Sequence, residues 1–136
     1  MSNLEQTLSI IKPDAVERNL ENEIKAMFQN DGFSILMQKK IQIEKSEAEN
    51  FYKVHQTKPF YDDLCSYLAS GPIVVMVLER SDAVLRNREL MGATNPKDAK
   101  EGTIRKKYGI SIDKNSVHGS DSLENAKIEI DFFFKN

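Results

Sequence analysis

The sequence predicts an α/β fold, and three stretches carry that reading. Ile73-Val74-Val75-Met76-Val77-Leu78 is a continuous, mostly branched apolar run, the pattern of a central strand covered on both faces. Thr7-Leu8-Ser9-Ile10-Ile11 is a second β-rich run. Between them Leu20, Ile24, Met27 and Phe28 recur at helical spacing, closed by Asn30-Asp31-Gly32. A length of 136 residues, 40% hydrophobic and 29% charged, suits one domain spanning residues 1–136.

The first strand should end at Lys12-Pro13, because the residue before a proline is pushed to extended geometry; this leaves Lys12 at the strand's exit. A helix over Leu20–Gln29 follows. Phe33, Ile35, Met37, Ile41 and Ile43 alternate imperfectly and read as a second strand, its lysines on the outer side. Lys45 to Tyr52 is expected to be helical, capped by Ser46 or its neighbours, and Lys58-Pro59 breaks it before another helix over Phe60–Leu68. After the central strand, Ser81 or Asp82 caps a helix running to about Met91.

On that helix Val84, Leu85 and Met91 form an apolar arc with Arg88 inside it, while Arg86 and Glu89 point away. An arginine on a packed side needs an anion, either a protein carboxylate or a phosphate ligand. Gly92 to Asn115 reads as one long, largely irregular segment, a length that in a small domain marks function or mobility. Lys97, Lys100, Arg105, Lys106 and Lys107 stand there against only Asp98 and Glu101, either a solvated face or a basic patch. Ser122 to Phe134 is ambiguous by period: Lys127–Phe132 alternates like a strand, whereas Asp121 with Glu124 reads as a capping box and favours a helix. Taken as a helix, it turns Glu129 inward with Ala126, Ile130 and Phe133.

A net charge of −2 gives no global pull toward nucleic acid or membrane, so a polyanion must use the local basic patch. The single cysteine, Cys65, excludes an internal disulfide and favours a cytoplasmic setting. Met1 to Gln6 has no secretory pattern, and the longest apolar run is too short to span a bilayer. HExxH, Walker A and GxGxxG patterns are all missing.

The chemistry gathers in Asn115-Ser116-Val117-His118-Gly119-Ser120-Asp121, where a histidine meets a helix start. Unpaired N–H groups and the dipole there suit an incoming phosphate. A lone histidine is more often a loop residue without a task, so its neighbours decide. Glu129 can fix the imidazole tautomer; Lys12, Arg88 and Arg105 can meet an anion; Thr94, Ser120, Tyr52 and Phe60 can accompany them. A histidine so placed serves as a nucleophile toward phosphorus or as a general base. Spread cations are what phosphoryl transfer asks for, since its catalysis is mainly positioning and charge neutralisation.

The heptapeptide resembles the active-site signature of nucleoside diphosphate kinases, and the resemblance runs the length of the chain. Ser9–Ala15, Phe51-Tyr52 with His55, Pro59-Phe60 and Leu64, Ser70–Val74, Gly92–Pro96 and Gly102–Arg105 resemble further family motifs in the family's order. The resemblance implies a ferredoxin-like sandwich, a four-stranded antiparallel sheet covered by helices. It implies transfer of the γ-phosphate of a nucleoside triphosphate, mainly ATP, to a nucleoside diphosphate. The implied route is ping-pong through a phosphohistidine on His118, broad in base and sugar, maintaining (deoxy)nucleoside triphosphate pools.

By the same resemblance, Lys12, Tyr52, Arg88, Thr94 and Arg105 bind phosphate, and His55 lies near the α-phosphate. Phe60, Leu64 and Ile112 hold the base, Asn115 and Lys12 the sugar, while Glu129 and Ser120 support His118. Magnesium arrives with the nucleotide, Asp121 being the nearest carboxylate. A homo-oligomer is implied, a hexamer ahead of a tetramer, with no membrane partner. The Lys97–Lys107 stretch leaves nucleic-acid binding as a secondary activity. Glu101, where the family often has proline, and Lys106-Lys107 before Tyr108 are the departures. Retention of His118, Arg88 and Lys12 argues against a non-enzymatic binding module, and Asn115 with Phe60 against a phosphatase.

Overall fold

Period-two alternation along two inner strands sorts their side chains into two apolar layers. β1 (Leu4–Ile11) sends Leu8 and Ile10 to one face and Ile11 to the other; β3 (Ile73–Ser81) sends Ile73 and Val75 to the first and Val74, Met76 and Leu78 to the second. Every residue from Ile73 to Leu78 is buried, as expected of a central strand. The computed structural model describes residues 4–112 and 114–134, so the ends of the expected domain, 1–3 and 135–136, lie outside the described residues.

β1 and β3 pair antiparallel from Leu4↔Ser81 to Ile11↔Val74. β2 (Ser34–Ile41) pairs with β3, and β4 (Val117–Gly119) pairs with the free side of β1, giving the antiparallel order β2-β3-β1-β4. On one face lie α1 (Pro13–Glu17), α2 (Glu21–Asn30), α5 (Ala83–Met91) and α6 (Ile104–Tyr108), through Ala15, Val16, Ile24, Phe28, Ala83, Met91 and Ile104. The α3 (Lys45–Phe51)–α4 (Tyr61–Leu68) hairpin and α7 (Leu123–Phe134) cover the other, through Ala48, Cys65, Leu68 and Phe133. The strand and crossover-helix order is the ferredoxin-like one. Among the described residues, no helix is long and apolar enough to cross a membrane.

Several local expectations change. The imperfect alternation of β2 comes from a bulge: Ile35 faces Leu78 but Met37 already faces Val77, so Leu36 is the inserted residue. The β2 lysines do not share an outer side. Lys40 pairs with Glu21 of α2, while Lys39 donates to the Phe133 carbonyl at the end of α7. The α3 cap is Glu44, whose N–H is received by Glu47, rather than Ser46. Asp82 does precede α5, but in the left-handed conformation and without a side-chain cap; Glu5 of β1 accepts from Val84 N–H at 3.4 Å instead.

The 92–115 segment is not irregular throughout. It holds a 3₁₀ turn at Pro96–Asp98, whose entry Asn95 caps through Lys97 N–H, and α6, capped by Thr103 through Lys106 N–H. The last segment is helical, as the cap suggested, although the cap itself differs. Ser122 Oγ accepts from Asn125 N–H at 3.0 Å, and the expected Asp121–Glu124 box is replaced by an Asp121–Asn125 bond.

Candidate active site

β4 lies in register with β1 at Ile10↔His118, which turns the imidazole to the face carrying Leu8 and Ile10, beneath α3 and α7. The Phe51 and Tyr52 rings meet it edge-on at 5.3 and 6.0 Å between centroids. Chain reversal at Ser122 brings α7 back over β1. Glu129 Oε1 there lies 3.0 Å from His118 Nε2 and accepts from Ser120 Oγ at 2.9 Å. Ser120 is fixed in turn by β1: its Oγ accepts from Leu8 N–H at 3.3 Å and its N–H donates to Leu8 O at 3.2 Å. The imidazole is therefore oriented by a carboxylate that is itself oriented by the sheet.

Gly119 is required by packing. A Cβ there would sit 2.2 Å from Asn87 Nδ2 and 2.9 Å from Met91 Sδ, so α5 presses directly on the strand beside the histidine. Buried Asn87 also explains the position of Arg88. The apolar arc read from the sequence counted Leu85 as core, but Leu85 is 60% exposed and Asn87 fully buried. The helix is rotated accordingly, and Arg88 is exposed at a cleft instead of lying on the packed side.

A second set of bonds ties three segments together. Lys12 Nζ donates to Asn115 Oδ1 at 2.9 Å, and Asn115 Nδ2 donates to Thr94 O at 3.1 Å. Arg105, taken from sequence as part of an exposed basic patch, is buried; it donates to Gly92 O at 3.0 Å and Val117 O at 2.9 Å. Burial first, and then the like charge of Arg88, brings its pKa down to about 10, which leaves it cationic at neutral pH. Burial and the neighbouring charge of Lys58 push the His55 pKa below its ordinary value. Asn125, donating at 2.6 Å, holds the Asp121 carboxyl below its usual range. Burial holds the Tyr52 phenol far above its own, with the Glu129 charge adding to it.

Of the residues expected from sequence, Tyr52, His55, Arg88, Thr94, Arg105, His118, Asp121 and Glu129 line one cleft of about 520 Å³. Lys12, Asn115 and Ser120 are buried and do not line it; Lys12 bonds Asn115, Asn115 bonds Thr94 O, and Ser120 bonds Glu129. Phe60 is 47% exposed with its ring 6.1 Å from His55. Leu64 packs on the α3–α4 apolar layer and Ile112 is exposed; neither lines this cleft. Sequence reasoning missed Lys58, Phe51, Asn125 and Ile128, which line it too. Asn125, one helical turn after Asp121, was the findable one. Among the described residues, no group of three or more His, Cys, Asp or Glu could hold a metal ion.

A family model described as nucleoside diphosphate kinase matches residues 5–136. The chain belongs to the nucleoside diphosphate kinase family. A nucleoside diphosphate kinase of Campylobacter jejuni (strain 81116) is 61% identical over 132 residues, covering 97% of this chain and 96% of its own. One from Persephonella marina is 55% identical over 131 residues, 96% and 94% of the two chains. Among solved structures, the Aquifex aeolicus nucleoside diphosphate kinase superposes with a TM-score of 0.96 at 39% identity, covering 98% of this chain and 97% of that one. The apo enzyme of Encephalitozoon cuniculi gives 0.94 at 37%, covering 97% and 90%. The protein is thus a phosphotransferase acting on nucleotides, with the ferredoxin-like fold of nucleoside diphosphate kinases.

Proposed function

We propose that His118 carries the transferred phosphate, and that the His118–Glu129–Ser120 relay is the observation supporting this most directly. With the Nε2 proton held on Glu129, Nδ1 keeps its lone pair and is the nitrogen that attacks the γ-phosphorus. The bond from that phosphorus to the bridging oxygen breaks, and the nucleoside diphosphate leaves with the electron pair. A second diphosphate then attacks through a terminal oxygen, and the N–P bond breaks in the reverse sense. Positive charge developing on the ring is stabilised by the Glu129 carboxylate without proton transfer.

The supporting roles are those the family resemblance implies. Arg88 and Arg105 neutralise phosphate charge, with Thr94, Tyr52 and Lys12 as hydroxyl and ammonium donors, and His55 stands toward the α-phosphate. Lys12 and Asn115, already bonded to each other, receive the sugar hydroxyls. Phe60, exposed beside His55, stacks the base, with Leu64 and Ile112 as apolar neighbours. Stacking reads no base edge, so purine and pyrimidine nucleotides, ribose and deoxyribose, are all substrates. Magnesium comes on the nucleotide phosphates, where it neutralises their charge, and Asp121, held ionised at the cleft, is the protein carboxylate available to it. The enzyme works in the cytoplasm as a homo-oligomer, hexameric before tetrameric; exposed Leu36 and Met37 on edge strand β2 support an assembly surface.

Incubation with γ-labelled ATP and magnesium, followed by a GDP or CDP chase, tests the relay. Acid-labile, alkali-stable label that moves to the chase nucleotide, and is lost in His118→Ala, is the expected result. Label released only as inorganic phosphate, or none despite nucleotide binding, would overturn it.

A further inference from the structure

One buried carboxylate lies outside the cleft and outside every role given above. The Asp14 side chain is 3% exposed, an expensive place for a carboxylate unless donors surround it. Three do, from three parts of the chain. Tyr67 Oη of α4 donates to Oδ1 at 2.5 Å; Arg18 Nη2 and Ser116 Oγ donate to Oδ2 at 3.2 and 3.3 Å. Asp14 N–H also donates to Tyr67 Oη at 2.9 Å, and Arg18 reaches on to Tyr108 O at the end of α6 at 2.6 Å.

What Asp14 holds through Ser116 is a strained turn. Ser116 has φ +76°, and Val117 N–H donates back to Asn115 O at 2.9 Å, which makes a γ-turn with the rare, positive-φ centre. A non-glycine residue in this region is strained and persists only where its surroundings over-determine it. The surroundings here are the segment 12–14. Lys12 N–H donates to Ser116 O at 2.8 Å, Lys12 Nζ to Asn115 at 2.9 Å, and Asp14 receives Ser116. The turn separates Asn115, at the sugar end, from His118, at the phosphorus end.

The geometry points to Asp14 as a positioning residue for the transfer: its buried carboxylate locks the Ser116 turn and so sets the Lys12–Asn115 pair relative to the His118 imidazole. This rests on the phosphohistidine reading above. Asp14 touches no substrate; it acts through Ser116 and the strand exit that carries Lys12.

The test compares two phosphoryl donors on the full-length chain and its Asp14→Asn variant. ATP needs the Lys12–Asn115 pair to seat its sugar; phosphoramidate, a small donor, has no sugar to seat. Labelling of His118 by ATP should slow roughly ten- to a hundredfold in Asp14→Asn, while labelling by phosphoramidate stays within about twofold, the signature of misplacement instead of lost reactivity. Equal losses with both donors, or no loss with ATP, would overturn the inference. A wild-type chain labelled by neither donor would overturn the phosphohistidine reading itself. Should Asp14→Asn not fold, Tyr67→Phe removes a single donor from the carboxylate, and the same split on a smaller scale is expected; its absence counts against Asp14.

Discussion

His118 and Glu129 meet at 3.0 Å although only a strand end and the first turns of α7 separate them in the chain. The imidazole and the carboxylate that orients it thus belong to one continuous β4–α7 unit. Glu129→Gln keeps an oxygen for the ring N–H but removes the charge, and should lower the steady-state transfer rate about tenfold; Glu129→Ala, which also strands Ser120 Oγ, should approach about a hundredfold. Turnover and phosphohistidine yield measure this together. A fully active Glu129→Ala would show that the contact orients nothing of consequence.

Packing beside the histidine makes a stability prediction independent of chemistry. Gly119→Ala drives a methyl to within 2.2 Å of Asn87 and 2.9 Å of Met91, and should destabilise the fold by about 1–3 kcal/mol. Gly102→Ala meets nothing within 4 Å and carries only the strain of φ +87°, about 1–2 kcal/mol. Urea unfolding of the pair should rank Gly119→Ala as the worse variant; the opposite order would mean that α5 shifts freely away from β4.

His55 allows a direct titration. Burial and Lys58 depress the His55 pKa from 6.5, so in the folded chain its ring resists protonation. Because the unfolded state binds that proton more readily, the contribution of His55 to stability is present above pH 6.5 and is lost as pH falls through the folded value. The ring proton resonance that disappears in His55→Gln should titrate with a midpoint below 6.5. A midpoint at or above it would contradict the burial of the ring.

At the alkaline end, Tyr52 and Tyr67 behave alike. Burial lifts both phenols well above 10, aided by the Glu129 charge at Tyr52 and by the hydrogen bond to Asp14 at Tyr67. Neutral phenol is favoured in the fold, so this contribution is complete below pH 10 and is lost as the medium becomes more alkaline. Tyr52 and Tyr67 should ionise only together with unfolding, seen as phenolate absorbance that coincides with loss of helical circular dichroism. Reversible ionisation of either in the folded chain would contradict the burial.

Much of this was legible because it is periodic. Ile73–Leu78 read as a central strand and the Leu20–Phe28 spacing as a helix, and both stand; Ser122–Phe134 was ambiguous by period and is a helix, as the cap reading favoured, though a different cap holds it. What escaped was decided across the chain. β4 is three residues long, too short to show alternation, and exists because β1 offers it a free edge. Arg88 was placed on the wrong side of α5 because Asn87, a polar residue, takes the buried stripe that Leu85 was expected to fill. Arg105, read with the lysines as either a solvated face or a basic patch, is held inside by the carbonyls of Gly92 and Val117. The β2 bulge and the Ser116 turn are backbone events that no composition announces.

The pairing of β1 with β4 has a consequence for how the molecule is made. Ile10 must find His118, and Leu8 must find Ser120 across 112 residues of chain, so the site rests on contacts of long range in the sequence. Such contacts form slowly and late. A polypeptide growing from its N-terminus holds three of the four strands before β4 is added, and the His118–Glu129 contact exists only once α7 has followed. An unfinished chain is thus well advanced in its sheet and still without the carboxylate that orients this imidazole.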